Sequence, residues 1–204
     1  MKIIITENQL NTLILKEENE KLPRKDFSDT NNKATSSLWD FIRGEERFIG
    51  YTYDDQRKWK DGKPIKYTGG TKYGTLTIGY GHTGDDVKKN MTVTKPEAEK
   101  ILDKDINEAA GCVRRILSAW KKDKTLKCEP YKVTQGMYEA MISLVFNAGC
   151  QSVRGTGKDS DWIQDVKKCK YQDAADKIVN WRKPNEKRRK LESELFCSDG
   201  CSNL

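Results

Sequence analysis

Glu46 and Asp55 are the two residues of this sequence whose types and spacing are best suited to acid–base chemistry. Glu46 ends a segment, residues 37–46, that is typical of a short helix, and Asp55 lies at the far end of a strand-like segment rich in Tyr and Ile. A turn between them can bring both carboxylates to one side of a cleft. Hydrolysis of a glycosidic bond needs such a pair, because one carboxyl protonates the leaving oxygen while the other stays ionised and activates water.

The spacing alone does not establish this pair. The chain contains 31 acidic residues, so two solvated surface charges explain the same spacing more readily. A glutamate at the C-terminal end of a helix is suited to the acid's role, because the negative end of the helix dipole favours its protonated form. Further support has to come from the elements that position the two carboxylates.

The residue pattern around the pair changes once along the chain, from strand-like to helical. Between residues 48 and 82, Tyr, Ile and Thr alternate with polar residues and glycines mark the turns, which predicts a small antiparallel sheet. After Gly84 the pattern is helical: Thr94 and Glu97 form a predicted capping box, and the nearly apolar segment 134–148 is the candidate for a central buried helix. We therefore predict an α+β fold, in which a small antiparallel sheet lobe joins a larger helical lobe with a cleft between them.

The composition describes a basic chain with no apparent membrane span. Lys and Arg outnumber Asp and Glu by 38 to 31, and the mean hydropathy is −0.85. A net charge of +7 attracts anions, such as nucleic acid or a bacterial wall with its carboxylates and phosphates. The basic run 183–190 lacks interleaved aromatic residues, so we expect no nucleic-acid binding. No segment approaches the ~20 apolar residues of a membrane helix, and residues 1–18 lack the pattern of a secretory signal, so we expect no stable membrane insertion.

Two segments, EERFIGYTYDD and GTLTIGYGHTG, together resemble the phage-type lysozymes of glycoside hydrolase family 24. In that family a catalytic Glu is followed seven residues later by Tyr and nine later by the catalytic Asp, as Glu46 is here by Tyr53 and Asp55. A strand reading T-I-G-x-G-H then follows, which Thr77 begins and His82 ends in this sequence. The resemblance implies that Thr77 is a third catalytic residue, which holds the attacking water or steadies the aspartate.

The resemblance covers roughly residues 38–196. TKPEAEKILDKDI is similar to the family's first helix of the large lobe, YEAMISLVFNAG to its central helix, YQDAADKIVNW to the next helix and RRKLESELF to the closing R-R-x-x-E-x-x-L-F pattern. Several motifs in the right order make the match specific. We therefore place a lysozyme domain at residues 37–197, after an N-terminal extension and linker (1–36) and before a short tail (198–204).

The family resemblance implies a muramidase that hydrolyses the β-1,4 bond between N-acetylmuramic acid and N-acetylglucosamine of bacterial peptidoglycan, which lyses the cell. No cofactor or metal is implied, and we expect a monomer. The implied catalytic residues are Glu46, Asp55 and Thr77. The residues expected to bind substrate are Tyr53, Thr83, Phe146, Asn147 and Arg188.

Two departures from the family pattern leave alternatives open. Arg47 follows Glu46 where the family usually has Gly, which makes Glu45 a rival for the acid. We favour Glu46 because only this residue has both the tyrosine and the aspartate at the family spacing. The segment 56–74 is longer than in compact members and adds a Trp and several lysines. It either contacts glycan or peptide stems or forms a solvated hairpin.

The resemblance also assigns roles to His82 and to the closing arginines. His82, the only histidine, is implied to link the sheet to the helical lobe rather than to act as a general base. Arg188 or Arg189 is implied to pair with Glu46, and the alternative is a surface arginine beside Glu192 at helical spacing.

The six cysteines permit three disulfides, but a chain of this length can bury a core without them. We therefore favour free buried thiols. Structural zinc is not expected, because no CxxC pair occurs and the histidine is far from every cysteine in sequence.

Two other functions stay open at this point. The chain could be a virion or surface component that binds peptidoglycan with weak or no catalysis, with residues 1–36 as its docking segment. It could also be a lytic transglycosylase, although that reaction would not need Asp55. We expect the protein in the host cytoplasm, from which it is released to the wall, or else associated with the virion.

Overall fold

The structure is a computed structural model that describes residues 24–29, 33–57, 59–154, 160–182 and 185–201. Most of the predicted N-terminal extension, including the strand and helix expected in residues 1–16, lies outside the described residues. In chain order the strands and helices are β1 (Lys25–Asp26), α1 (Ser36–Glu45), β2 (Ile49–Asp54), β3 (Leu76–Gly79), β4 (His82–Thr83), α2 (Lys95–Lys122), β5 (Lys132–Val133), α3 (Gln135–Ala148), α4 (Cys150–Arg154), α5 (Asp161–Lys167), α6 (Tyr171–Asn180) and α7 (Glu186–Phe196).

The predicted small sheet consists of β2, β3 and β4 in that order, all antiparallel. Tyr53 of β2 lies opposite Thr77 of β3, and the register shifts between Ile49 and Tyr53. β3 turns into β4 through Gly79 and Gly81, whose φ angles of 69° and 86° are in the left-handed region that glycine adopts without strain. The turn therefore needs the glycines of the T-I-G-x-G-H strand.

The helical lobe is built around α3, which packs against α2 and α7. Every residue from Gly136 to Val145 is buried, so this helix is buried on all sides, as its nearly apolar sequence predicts. The predicted capping box is also confirmed, since the Thr94 side chain accepts from the Glu97 backbone and the Glu97 side chain accepts from the Thr94 backbone. The α+β fold is confirmed, with small antiparallel sheets beside a larger set of helices.

The predicted linker contains a packed segment. β1 pairs with β5, and the Phe27 ring stacks on Tyr138 of the central helix with ring centroids 4.4 Å apart. Phe27 is an isolated aromatic residue in a polar stretch, and its burial becomes visible only once a partner strand more than 100 residues away is in place. The domain boundary at residue 37 stays a prediction, but residues 24–29 belong to the packed body.

The preference for free thiols is wrong. The cysteines form three disulfides, Cys112–Cys150, Cys128–Cys169 and Cys197–Cys201. The fold brings the Cα atoms of each pair to 6.0, 6.4 and 4.9 Å, within the range that a disulfide spans. The first two pairs are 38 and 41 residues apart in sequence, so only the tertiary structure reveals them.

No helix among the described residues combines the length and the apolar character needed to cross a membrane.

Candidate active site

Glu46 lies at the C-terminal end of α1, where its backbone N–H donates to the Ile42 carbonyl at 2.9 Å. Its carboxylate accepts a hydrogen bond from Nη1 of Arg188, which confirms the implied pairing with an arginine of the closing helix. The Glu46 side chain is 21% exposed and the Arg188 side chain 8%. Glu45, the rival acid, has no ion-pair partner among the residues that the structure describes. The geometry therefore distinguishes Glu46 from its neighbour.

A buried network of charges holds Arg188 in place. Arg188 Nε donates to the Glu192 carboxylate at 3.1 Å, and the Ser143 hydroxyl donates to the same oxygen at 2.6 Å. Arg189 pairs with the other oxygen of Glu192. Glu192 is fully buried, so these contacts are what offsets the cost of removing its charge from water. The network joins α3 and α7 behind Glu46.

Asp55 follows β2 and is linked to Thr77 through Thr75. The Thr75 N–H donates to Oδ1 of Asp55 at 2.7 Å, and the Asp55 N–H donates to the Thr75 carbonyl at 3.1 Å. The Thr77 hydroxyl donates to that carbonyl at 3.2 Å, which leaves its oxygen lone pairs able to accept from water. The backbone at Thr75 therefore fixes the two predicted residues relative to each other.

The adjacent Asp54 has a different role that the sequence analysis missed. It is buried, and its carboxylate accepts backbone N–H bonds from Tyr73, Gly74 and Gln56. The Tyr73 bond is the largest of the causes that lower the pKa of Asp54. Asp54 therefore shapes the loop that carries Asp55, and the only sequence signal for it was the Asp–Asp pair followed by a long loop.

Tyr53 lies within electrostatic reach of both predicted catalytic carboxylates. Burial, together with the negative charges of Glu46 and Asp55, raises the pKa of Tyr53 to about 12. The phenol therefore stays protonated at neutral pH and remains a hydrogen-bond donor. Both carboxylates therefore contribute to the electrostatic environment of the Tyr53 phenol.

Two glycines lie directly against the two carboxylates. A Cβ atom added to Gly81 would lie 3.3 Å from Oε2 of Glu46, and one added to Gly74 would lie 2.0 Å from Oδ1 of Asp55. The second distance is far below any real contact, so a side chain at position 74 would displace the aspartate. The backbone approaches each carboxylate as closely as it does because these residues have no side chain.

His82 has the structural role that the resemblance implied. Its Nδ1 lies 2.8 Å from Oδ2 of Asp105 on α2, and its Nε2 lies 3.1 Å from Oδ2 of Asp86. Burial opposes the charged imidazole, but the hydrogen bonds to Asp105 and Asp86 raise the pKa of His82 above 6.5. With the Asp105 contact, His82 ties the sheet to the helical lobe.

A cavity of about 310 Å³ lies between the β3–β4 turn and helices α2 and α3. Two of the predicted substrate-binding residues, Thr83 and Phe146, line it, whereas Glu46 and Asp55 do not. Gly81, which lies against the Glu46 carboxylate, is also part of the lining. Asn147 lies outside this lining, and its side-chain carbonyl accepts from Arg189 at 2.5 Å. A substrate role for Asn147 stays a prediction. Within the described residues, no group of three or more His, Cys, Asp or Glu could hold a metal ion.

Comparisons with known proteins agree with this architecture. A sequence model described as phage lysozyme matches residues 60–193. The match begins after Glu46 and Asp55, so their assignment rests on spacing and on the geometry above. Among solved structures, a P22 lysozyme mutant aligns with a TM-score of 0.53 and 25% identity over 81% of this chain and 98% of that one. The muramidase domain of SpmX from Asticaccaulis excentricus aligns with a TM-score of 0.56 at 22% identity over 81% and 97%, which supports the fold.

Two endolysins of phages show the sequence relationship. The endolysin of Bacillus phage B103 is 32% identical over 135 residues, which are 63% of this chain and 45% of that protein. The endolysin of Salmonella phage P22 is 29% identical over 135 residues, 61% of this chain and 82% of that protein. The match thus spans less than half the length of the Bacillus phage relative. Because the family model covers well over half of the chain, the chain belongs to the phage lysozyme family.

Proposed function

We propose that this chain is a muramidase that hydrolyses the β-1,4 bond between N-acetylmuramic acid and N-acetylglucosamine in peptidoglycan. The single observation that carries the proposal is that both carboxylates lie against the segment 74–81, Glu46 beside Gly81 and Asp55 beside Gly74. Arg188 pairs with the first carboxylate, and the Thr75 N–H donates to the second. Such a pair of carboxylates fits glycoside hydrolysis. The phage endolysins to which the chain is similar support the same substrate class.

In the proposed mechanism, Glu46 protonates the glycosidic oxygen as the bond to the leaving sugar breaks. Asp55 accepts a proton from the attacking water, and the Thr77 hydroxyl oxygen accepts its other hydrogen bond, which orients the water toward the sugar carbon. Arg188 is a positioning residue in this scheme, because it touches Glu46 and not the reacting atoms. Thr83 and Phe146 would contact the sugars beside the scissile bond.

The test is the clearing of a bacterial wall suspension by the full chain and by Glu46→Gln. We expect the wild-type chain to clear the suspension and Glu46→Gln to lose activity by about 10²-fold or more, as expected when a general acid is removed. Glu45→Gln is the matched control, with the same chemical change one residue away, and it should keep most of the activity. If the wild-type chain clears nothing, or if Glu46→Gln clears as well as Glu45→Gln, the proposal is wrong.

Mass spectrometry of the released fragments separates hydrolysis from transglycosylation. Hydrolysis by water leaves reducing muramic acid ends, whereas a lytic transglycosylase leaves anhydromuramic ends. We expect reducing ends, because Asp55 and Thr77 supply a site for water. A wall-binding component without catalysis would release neither product.

We further propose that the protein acts on the wall after its release from the host cytoplasm. The three disulfides support action outside that compartment, since disulfides persist in oxidising surroundings and are rare in a reducing cytoplasm.

A further inference from the structure

The segment that joins Asp55 to β3, residues 56–74, is strongly basic. We call it the basic hairpin. It contains six Lys or Arg residues and one acidic residue, and so accounts for most of the net charge of +7. It also carries the three large hydrophobic side chains of the described residues that are exposed, Trp59, Ile65 and Tyr73. A solvated loop explains exposed lysines, but it does not explain large exposed hydrophobic side chains beside them.

The tip of the basic hairpin places two lysines directly opposite each other. Lys60 and Lys63 exchange both backbone hydrogen bonds, at 2.9 and 3.0 Å. The two residues between them, Asp61 and Gly62, have φ angles of 49° and 70°, which is the geometry of a type I′ turn. Cross-strand partners project to the same face of a hairpin, so the two ammonium groups repel each other. An anion bound between them would relieve this repulsion.

Asp61 is the one acidic residue of the basic hairpin, and it forms no ion pair with Lys60 or Lys63 in the described structure. Lys60 and Lys63 are exposed and form no ion pair in the part of the chain that the structure describes. Some lysines of the helical lobe are paired, such as Lys132 with Glu129 at 2.8 Å, whereas Lys124 and Lys127 have no ion pair among the described residues. The positive charge at the tip is therefore available to an external partner.

Arg47 adds a third cation to the tip. Its Nη1 donates to the Gly62 carbonyl at 2.7 Å, and its guanidinium lies 6.0 Å from the centroid of the Trp59 ring. A cavity of about 540 Å³ beside the tip is lined by Arg47, Tyr51 and Lys63 among others. This arrangement also gives a reason for the unexpected arginine after Glu46, because the hydrogen bond from Arg47 stabilises the turn.

We propose that Arg47, Lys60 and Lys63 bind phosphodiester groups of a polyol-phosphate polymer of the bacterial wall. A phosphodiester keeps its charge at all physiological pH values, and it suits both the forked N–H donors of arginine and the point charge of lysine. The hairpin begins directly after Asp55, so a polymer bound there would lie beside the glycan strand in the cleft. The inference rests on the proposed function for the identity of the polymer as a wall component.

The experiment measures cosedimentation of the full chain with purified polymer-bearing walls at physiological salt. All proteins carry Glu46→Gln, so that the walls stay intact and a failure of the proposed catalysis leaves the binding result readable. The test variant is Lys60→Gln/Lys63→Gln. The matched control is Lys124→Gln/Lys127→Gln, which removes two exposed lysines of the same spacing that have no ion pair in the described part of the helical lobe.

We expect the test variant to bind walls about 10- to 30-fold more weakly than its parent, since a lysine near an anionic surface contributes about fivefold. The control variant should stay within about threefold of the parent, because it loses the same net charge at another place. Treating the walls with hydrofluoric acid, which cleaves phosphodiesters and leaves the glycan, should abolish the difference between test variant and parent.

Three results would overturn the inference. The first is a test variant that binds untreated walls as tightly as its parent. The second is an unchanged difference after removal of the polymer, which would assign the lysines to glycan or peptide. The third is equal, equally lysine-dependent binding to duplex DNA or to vesicles of anionic lipid, which would assign them to a general attraction for polyanions.

Discussion

The closing helix and the basic hairpin both contain clustered positive charges, but these charges differ in burial and in pairing. Arg188 and Arg189 are buried, and both pair with the buried carboxylate of Glu192. Lys60 and Lys63 are exposed and face each other across a turn without an acidic partner in the described structure. A buried charge must be paired or the fold is lost, whereas an exposed charge can stay unpaired in water. The first group therefore builds the site, and the second is free to meet a partner.

The largest effect should come from breaking the buried group. Glu192→Ala leaves the buried Arg189 without its carboxylate and Arg188 with Glu46 alone, which should lower the free energy of unfolding by about 3–5 kcal/mol. Denaturant unfolding followed by circular dichroism measures this change. Glu194→Ala, at an exposed position of the same helix, should cost less than about 0.5 kcal/mol. Equal losses for both variants would mean that the buried network does not stabilise the fold.

A smaller effect should follow from loosening the contact between this network and Glu46. Arg188→Lys keeps the charge but loses the forked geometry, so kcat for wall hydrolysis should fall roughly 10- to 100-fold, while KM changes little. The kcat of Arg188→Met should fall further than that of Arg188→Lys. A higher kcat for the lysine variant than for the methionine variant would indicate a positioning role. If KM rises instead and kcat holds, Arg188 binds substrate directly, as the sequence analysis predicted.

The boundary between the two lobes can be tested by titration. Because His82 is the only histidine, its imidazole resonances in an NMR pH series report one group. We expect its pKa above 6.5, and we expect Asp105→Asn to lower it. A raised pKa in the folded state means that the stabilisation from this group is fully present below pH 6.5 and is lost as the pH rises through the folded pKa. A pKa of His82 at or below 6.5 in the folded chain would contradict the contact with Asp105 that connects the sheet to the helices.

The smallest effect should appear at the tip of the basic hairpin, and it should have the opposite sign. Lys60→Gln/Lys63→Gln removes a repulsion between cross-strand neighbours, so we expect a stabilisation of a few tenths of a kcal/mol. Thermal unfolding of this variant beside Lys124→Gln/Lys127→Gln measures the difference. A lower Tm would mean that the two lysines contribute to the fold instead of straining it.

Much of the helical lobe could be predicted from local patterns. The central helix is nearly apolar and the capping box of α2 lies within four residues, so both features are visible in the sequence itself. The pairing of Glu46 with an arginine and the structural role of His82 came from the family resemblance. Both are confirmed, although each joins residues far apart in the chain.

The features that could not be predicted depend on contacts between distant segments. Two disulfides join cysteines about 40 residues apart, and no local pattern indicates which cysteines meet. The burial of Phe27 depends on a strand that begins at Lys132. The different roles of Asp54 and Asp55 depend on which way each side chain points at the end of β2. Asp54 is buried and accepts three backbone N–H bonds, whereas Asp55 is exposed and accepts one.

The contact between Glu46 and Arg188 joins residues separated by 142 positions in the chain, and this has a consequence for synthesis. A ribosome produces the chain from its N-terminus, so Glu46 emerges long before the arginine that holds its carboxylate. The sheet with Asp55, Thr77 and His82 can form early, but the acid acquires its partner only when α7 is complete. Chains that stop before residue 188 therefore carry both carboxylates without an oriented acid, which delays full activity until α7 has been synthesised.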